Sequence, residues 1–297
     1  MAQRKIAWQS KLILLLVVPL AAAYTLLQAH WWATQAPAVA IWTLGLSLLL
    51  GIIVLWLRAA TPAAAFTGVV ITASLTFSTA IYPYQPWKTA LPVVMTVFVL
   101  AFAATRLGRS RKERLGTAES RRGRTAGQVA ANLGFASLLA TTFVQDWLID
   151  SHWFSPGGIA PIPVYAPVLA ALAEAAADTV SSEIGQVFGG HPRIITNLRR
   201  AEPGTDGGIT VAGTLAGIVA AAIVAEVGAW ALFYGEAQLF WVSLAGGVFG
   251  FLFDSLLGAT LERRGLLNND AVNFLSTASG AAFALAILAI IPHSGIG

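Results

Sequence analysis

The sequence predicts an all-α polytopic membrane protein of about nine transmembrane helices, with the N-terminus in the cytosol and the C-terminus outside. Three observations predict it. Hydrophobic types make up 57% of the 297 residues and charged types only 11%, under half the roughly 25% of a soluble domain. The mean hydropathy is +0.72. The basic residues are confined to alternate connections between apolar stretches. Such a chain has too little polar surface to cover a water-soluble fold, and it is too apolar to stay disordered. With no cysteine there is no disulfide framework, thiolate metal site, iron–sulfur cluster or cysteine nucleophile.

A helix needs about 20 apolar residues to cross the hydrocarbon core. Nine stretches qualify: near 12–29, 38–57, 62–81, 89–106, 128–148, 161–179, 209–233, 238–257 and 271–291. The first follows Arg4, Lys5 and Lys11 in the manner of a signal peptide, but further apolar stretches come straight after it, so it reads as a retained span. The sixth carries Glu174 and Asp178 and is expected to lie partly in a cytosol-facing cavity. With the N-terminus inside, that terminus and the connections around 58, 107–127, 180–208 and 258–270 hold 17 of the 18 Lys and Arg. Only Lys88 falls outside, as the positive-inside rule requires. YPYQPW (82–87), Trp31–Trp32 and Trp147–Trp153 then lie at the opposite interface, where aromatic belts sit. The expected location is the cytoplasmic membrane of a prokaryote.

The chain reads as a single membrane domain over 1–297. Residues 1–105 form scaffold or a lipid-accommodating groove, 106–127 a basic cytosolic loop, and 128–291 catalytic helices with cytosolic loops 180–208 and 258–270. The net charge of +4 reflects topology. Residues 106–124 hold eight basic and two acidic residues with no interleaved aromatics, so no nucleic-acid partner is expected. That loop either touches anionic lipid or lies near an anionic substrate.

Four polar clusters fall at cytosolic helix ends. In RRGRTAGQVAANLG, Arg124, Gln128 and Asn132 recur every four residues and share a helical face; Gln and Asn in a membrane helix also serve as helix glue. In EAAADTVSSEIGQVFGG, Glu174 and Asp178 share a face with Ser182, whereas Glu183 points about 140° away from Asp178 on an ideal helix. Carboxylates inside a span usually mark a functional site, and one or two of them with substrate phosphates suit Mg²⁺. A salt bridge to Arg193 or Arg199 is the alternative.

In HPRIITNLRRAEPGTDGGITVAGT, Gly204, Thr205, Asp206, Gly207 and Gly208 form a turn ahead of a helix. Its backbone N–H groups and the helix N-terminus make an anion site, reinforced by Arg193, Arg199 and Arg200. The alternative is an ordinary helix start capped by Thr205 or Asp206. In FDSLLGATLERRGLLNNDAVNFLSTASG, Asp254, Gly258 and Glu262 are four apart, and Asp270, Asn273, Thr277 and Gly280 form a second polar stripe at three- and four-residue spacing. Asp254 is a second candidate metal ligand or a general base; Asn268–Asn269 reads as a loop and cap.

No P-loop, GxGxxG, GxSxG or HExxH occurs. What remains is acidic residues for a cation, arginines and glycine backbone for phosphates, and a hydrophobic bundle for a lipid tail. Positioning and charge neutralisation of that kind carry phosphoryl transfer.

The ordered motifs RRGRTAGQVAANLG, ADTVSSEIGQVFGG with HPR, PGTDGGITVAGTLAG and DSLLGATLE…NNDAVNFLST resemble the integral-membrane family of plant phytyl-phosphate kinase, over roughly 65–290. DTVSSEIGQVFGG is more loosely similar to CTP-dependent phytol and dolichol kinases and to CDP-diacylglycerol synthases. The resemblance implies transfer from CTP, or another nucleoside triphosphate, to a prenyl monophosphate with Mg²⁺ or Mn²⁺. By motif position it implies Asp178, Ser182, Glu183, Asp206, Gly207, Gly208, Asp254, Asn269 and Asn273 as site residues. Chemistry then casts Asp178, Glu183 and Asp254 as catalytic and metal-binding. Arg124, Gln128, Asn132 and the arginines and glycines above contact phosphate or nucleotide. Partners are the prenyl phosphate, the nucleotide and membrane lipid, with a homodimer as an allowed assembly. A prenol kinase or CDP-lipid cytidylyltransferase is the alternative enzyme. A transporter or channel is the alternative class, although only Glu226 lies near mid-span.

Overall fold

The computed structural model describes residues 6–120, 122–150, 165–232 and 235–290. The start of the sixth apolar stretch and part of the Trp147–Trp153 aromatic segment lie outside the described residues, as do Arg4, Lys5 and Arg121.

The chain runs through α1 (Trp8–Gln35), α2 (Pro37–Trp56), α3 (Pro62–Ser78), α4 (Leu91–Arg106), the short α5 (Arg109–Leu115), α6 (Ala126–Leu139) and α7 (Thr142–Asp150). Then come α8 (Tyr165–Phe188), α9 (Val211–Leu232), α10 (Ala237–Leu257), a π turn (Gly258–Glu262) and α11 (Asn269–Ile290). A two-stranded antiparallel ribbon, β1 (Arg193–Ile194) with β2 (Gly208–Ile209), lies between α8 and α9 and pairs Arg193 with Ile209 and Ile194 with Gly208. Local sequence sets the boundaries. Proline occupies the first turn of α2, α3 and α4, where its missing N–H costs nothing. Thr61 caps α3. Left-handed Gly108 and Gly116 bracket α5.

Where its residues are described, each of the nine apolar stretches is largely helical. Among the described residues, five helices are long and apolar enough to cross a membrane: α1, α2, α9, α10 with its π turn, and α11. Counting α4–α5 (bent by 64°) and α6–α7 (bent by 49°) as one span each gives seven. The difference from nine has two sources. Helix α3 has only 17 residues, and α8 carries three acidic side chains. The fifth stretch is also broken near Thr141 instead of continuous.

Helix α8 is the hub. Nearly every residue from Ala166 to Ala177 is buried, enclosed by α4, α6, α9, α10 and α11. Small residues allow this, as in other membrane bundles. A Cβ on Gly213 or Gly217 of α9 would meet the Ser181 or Ala177 carbonyl, and one on Gly246 or Gly247 of α10 would meet the Ala170 or Ala173 side chain. Large exposed apolar residues are dense on α1 and α2, as at Leu15, Leu26, Ile41 and Trp56, and occur also on α9, α10 and α11, as at Val219, Trp241 and Ile290, which suits a lipid-facing wall. The acidic groups of α8 therefore face protein and not lipid, where their cost would be greatest.

Candidate active site

The four-residue spacing puts Glu174 and Asp178 on one face of α8, and α10 brings Asp254 against them. The Asp178 and Asp254 carboxyls lie within hydrogen-bonding reach of each other, with Glu174 and the Ser276 hydroxyl of α11 beside them. Glu174 is 1% exposed. Its Oε1, like Asp254 Oδ2, is buried without a hydrogen-bond partner. Gly250 makes the slot: a Cβ there would sit 2.6 Å from Glu174 Cγ.

The acidic line continues outward. Glu262, on the π turn, has Asp206, Asp178 and Asp270 as its acidic neighbours. The PGTDGG turn is held on that π turn by backbone contact: a Cβ on Gly207 would strike Ala259, and one on Gly258 would sit 2.9 Å from the Gly207 nitrogen. Gly207 also has φ +71°, so glycine is required twice over. Gly207→Ala is expected to lose at least about 1–2 kcal/mol from the left-handed backbone alone, read by thermal unfolding in detergent. Wild-type stability would contradict the contact.

Burial raises the Asp206 carboxyl above its ordinary value, while Arg263 opposes the shift. A carboxyl raised in this way favours folding while protonated, and that contribution is lost as pH rises through its raised value. Asp206→Asn should thus be at least as stable as wild type at neutral pH, with a flatter pH–stability profile. Destabilisation at neutral pH would contradict the placement. A cavity of about 530 Å³ opens here, lined by Asp206, Glu262, Arg263, Arg264, Asn269 and Asp270 among others.

Other expected site residues lie apart from this line. Glu183 is bound to buried Lys112 of α5 at 2.5 Å and accepts from Thr105 Oγ1 at 3.0 Å. Its partner is therefore Lys112, not Arg193, Arg199 or a site shared with Asp178. Ser182 is exposed and accepts from Gln186. Arg193, Arg199 and Arg200 are exposed around the ribbon, and Arg193 Nη1 donates to the Leu198 carbonyl at 2.9 Å.

Thr205 and Gly208 use their N–H groups to close the turn itself, so the expected anion nest is partly shut. Neither Thr205 nor Asp206 caps α9. Thr210 does, accepting from Gly213 N at 3.0 Å, because β2 intervenes between turn and helix. Gln128 forms a capping box with Thr125, so Arg124 precedes the helix and does not share its face. Asn132 accepts from Asn273 at 2.7 Å, tying α6 to α11 as helix glue. Asn268 caps α11 through Ala271 N. Arg124, in contrast, reaches the centre: it donates to Thr179 Oγ1 at 3.4 Å and is the cation facing Asp178. Glu226 is exposed on the outer side of α9, away from any internal path.

Sequence reasoning left Glu174 and Glu262 out of the site. Their four-residue offsets from Asp178 and, through Gly258, from Asp254 were the available signal. Among the described residues, no group of three or more His, Asp or Glu side chains is arranged to hold a metal ion by protein ligands alone. The partnerless oxygens of Glu174 and Asp254 beside Asp178 fit an ion that takes one or two carboxylates and completes its shell with phosphates and water, as Mg²⁺ does.

An uncharacterized membrane protein of Methanocaldococcus jannaschii is 34% identical over 190 residues, 64% of this chain and 72% of its own length. One from Synechocystis sp. is 30% identical over 213 residues, 68% of this chain and 74% of its own. Protein VTE6, chloroplastic, of Arabidopsis thaliana is 28% identical over 206 residues, 65% of this chain but only 56% of its own length. No solved structure matches. The family model for integral membrane protein DUF92 matches residues 45–281, and the chain belongs to that family.

Proposed function

We propose that the chain is a membrane-embedded phosphotransferase that moves a phosphoryl group from CTP, or another nucleoside triphosphate, to a prenyl, phytyl-like monophosphate. In this reading nine helices cross or enter the bilayer, the N-terminus is cytosolic, and the site opens to the cytosol of a prokaryotic inner membrane. One observation carries it: Glu174, Asp178 and Asp254 crowd together inside the bundle with two partnerless oxygens. Arg124 stands on one side, and the Glu262–Asp206 cavity opens on the other. Buried carboxylates without cations are costly, so the cluster is built for an incoming charge. The kinship with VTE6 and the family resemblance of the motifs support a prenyl-lipid substrate.

The nucleotide phosphates enter through the Asp206–Glu262 cavity, where Arg263 and Arg264 offset their charge. Asp178 and Asp254, supported by Glu174, would hold Mg²⁺ or Mn²⁺, which when bound neutralises and aligns those phosphates. Arg124 holds the acceptor phosphate. An acceptor oxygen forms the new bond to the γ-phosphorus, the bond to the β–γ bridging oxygen breaks, and nucleoside diphosphate leaves. The acceptor is already ionised at neutral pH, so no strong base is needed. Glu183 acts by anchoring Lys112.

Purified protein with γ-labelled CTP or ATP and a panel of prenols and prenyl monophosphates tests the reading. Label is expected in the prenyl diphosphate. Label only in products of prenols, release of pyrophosphate with a cytidylylated lipid, or no transfer at all would each overturn it.

A further inference from the structure

A second cavity, of about 390 Å³, lies among α2, α3, α4, α6 and α8. Its walls are apolar, including Val54, Val69, Val97 and Phe98, and arginine gathers at one end as Arg58, Arg106, Arg109 and Arg124. We infer that this cavity seats the acceptor lipid as a single extended chain, with its phosphate held by Arg58, Arg106 and Arg124. The identity of the acceptor rests on the phosphotransferase reading; the seat for a one-chain lipid phosphate does not.

Charge at the mouth favours an anion. Arg109 is paired with Glu113 at 3.2 Å, and Glu119 accepts from Gln128 at 3.3 Å, which leaves Arg58 and Arg106 without a carboxylate ion pair among the described residues, while Arg124 faces Asp178. Arg106 donates to the Leu57 carbonyl at 2.7 Å and lies over the Phe102 ring, so it is held in place with donors to spare. The Arg58 side chain makes no hydrogen bond or ion pair among the described residues; only its backbone N–H is engaged, donating to the Leu55 carbonyl at 2.9 Å. It also has φ +52° just past the end of α2, where glycine is the usual residue. A bulky cation at a position whose backbone favours glycine points to a use for its side chain.

The cavity also reaches the chemistry. Ala175 and Thr179 of α8 line it, close to Asp178 in the helix, and Arg124 donates to Thr179 while facing Asp178 electrostatically. A phosphate on Arg124 therefore lies at the edge of the carboxylate cluster. From Arg106 to Val94, both on the lining, α4 runs twelve residues, or about 18 Å at 1.5 Å per residue. That is roughly one leaflet of a 30 Å hydrocarbon core, a depth suited to one chain running down from an interfacial headgroup. Gly68 supplies a place to block it: it lines the cavity, and a Cβ there has its nearest neighbour, Val129 Cγ1, at 4.0 Å.

The test is direct binding without nucleotide, so it does not depend on turnover. The probes are geranylgeranyl monophosphate, geranylgeraniol, dioleoyl phosphatidic acid and inorganic phosphate, each titrated onto the purified protein in detergent by native mass spectrometry. The monophosphate should bind best. Arg58→Gln and Arg106→Gln should each weaken it by roughly tenfold to a hundredfold and leave geranylgeraniol nearly unchanged. Gly68→Leu should weaken both. Independently of any variant, a diazirine-bearing geranylgeranyl phosphate should label peptides of 47–72 or 91–106 in the wild-type protein. Label confined to helices that do not line the cavity, such as α1, α9, α10 or α11, equal affinity for phosphatidic acid, or arginine variants that bind like wild type would overturn the seat. Tight binding here with no phosphoryl transfer would sink the kinase reading alone.

Discussion

Asp178→Asn abolishes phosphoryl transfer, by roughly a hundredfold to a thousandfold or more, and leaves the bundle folded. Asparagine keeps the shape of the side chain while removing the charge that Arg124 and the proposed cation oppose. It also relieves the crowding of Asp178 with Glu174 and Asp254, so the unfolding temperature should hold or rise. Loss of activity with retained or increased stability is the signature of a site that trades stability for function. A folded variant with full transfer would remove Asp178 from the chemistry. An unfolded one would show that its charge is structural, paired with Arg124.

Lys112→Met is the substitution expected to cost most in stability. Lys112 lies in the most basic stretch of the chain, yet it is 1% exposed. Its ammonium donates to the Ala104 and Thr105 carbonyls at 3.0 and 2.8 Å and to Glu183. It thereby pins α5 back against the end of α4 and the C-terminal part of α8. Removing one partner of such a pair strands the other charge, at a cost of about 3–5 kcal/mol. Replacing both, as Lys112→Met with Glu183→Leu, should restore most of that stability. A double-mutant cycle on unfolding in detergent measures the coupling. Additive losses would show that the two side chains act separately.

These two residues mark the limit of what the sequence reveals. Asp178 and Asp254 were legible because a carboxylate within an apolar run has few structural excuses, and the shared helical face could have added Glu174, which was left out. The capping box of Thr125 and Gln128 was equally legible, as a Thr-x-x-Gln before an apolar run, though a polar stripe through Arg124 masked it. Lys112 was not legible. In a basic run every lysine looks solvated, and its partner is 71 residues away. Nor was the burial of α8 on every side, which rests on where glycines of α9 and α10 meet it. The cavity beneath Arg58 and Arg106 needs helices from both halves of the chain, so no local pattern announces it. The exposed arginines of the ribbon attracted notice for their number, while Arg58 and Arg106, at the mouth of the cavity, sit singly at helix ends.

The most direct measurement is a structure with Mn²⁺ and a non-hydrolysable CTP analogue, located by manganese anomalous scattering. The expected result is an ion bound by Asp178 and Asp254, with the nucleotide phosphates extending toward Asp206 and Glu262. Manganese and phosphates bound instead at Arg193, Arg199 and Arg200, with the buried carboxylates untouched, would contradict the proposed site.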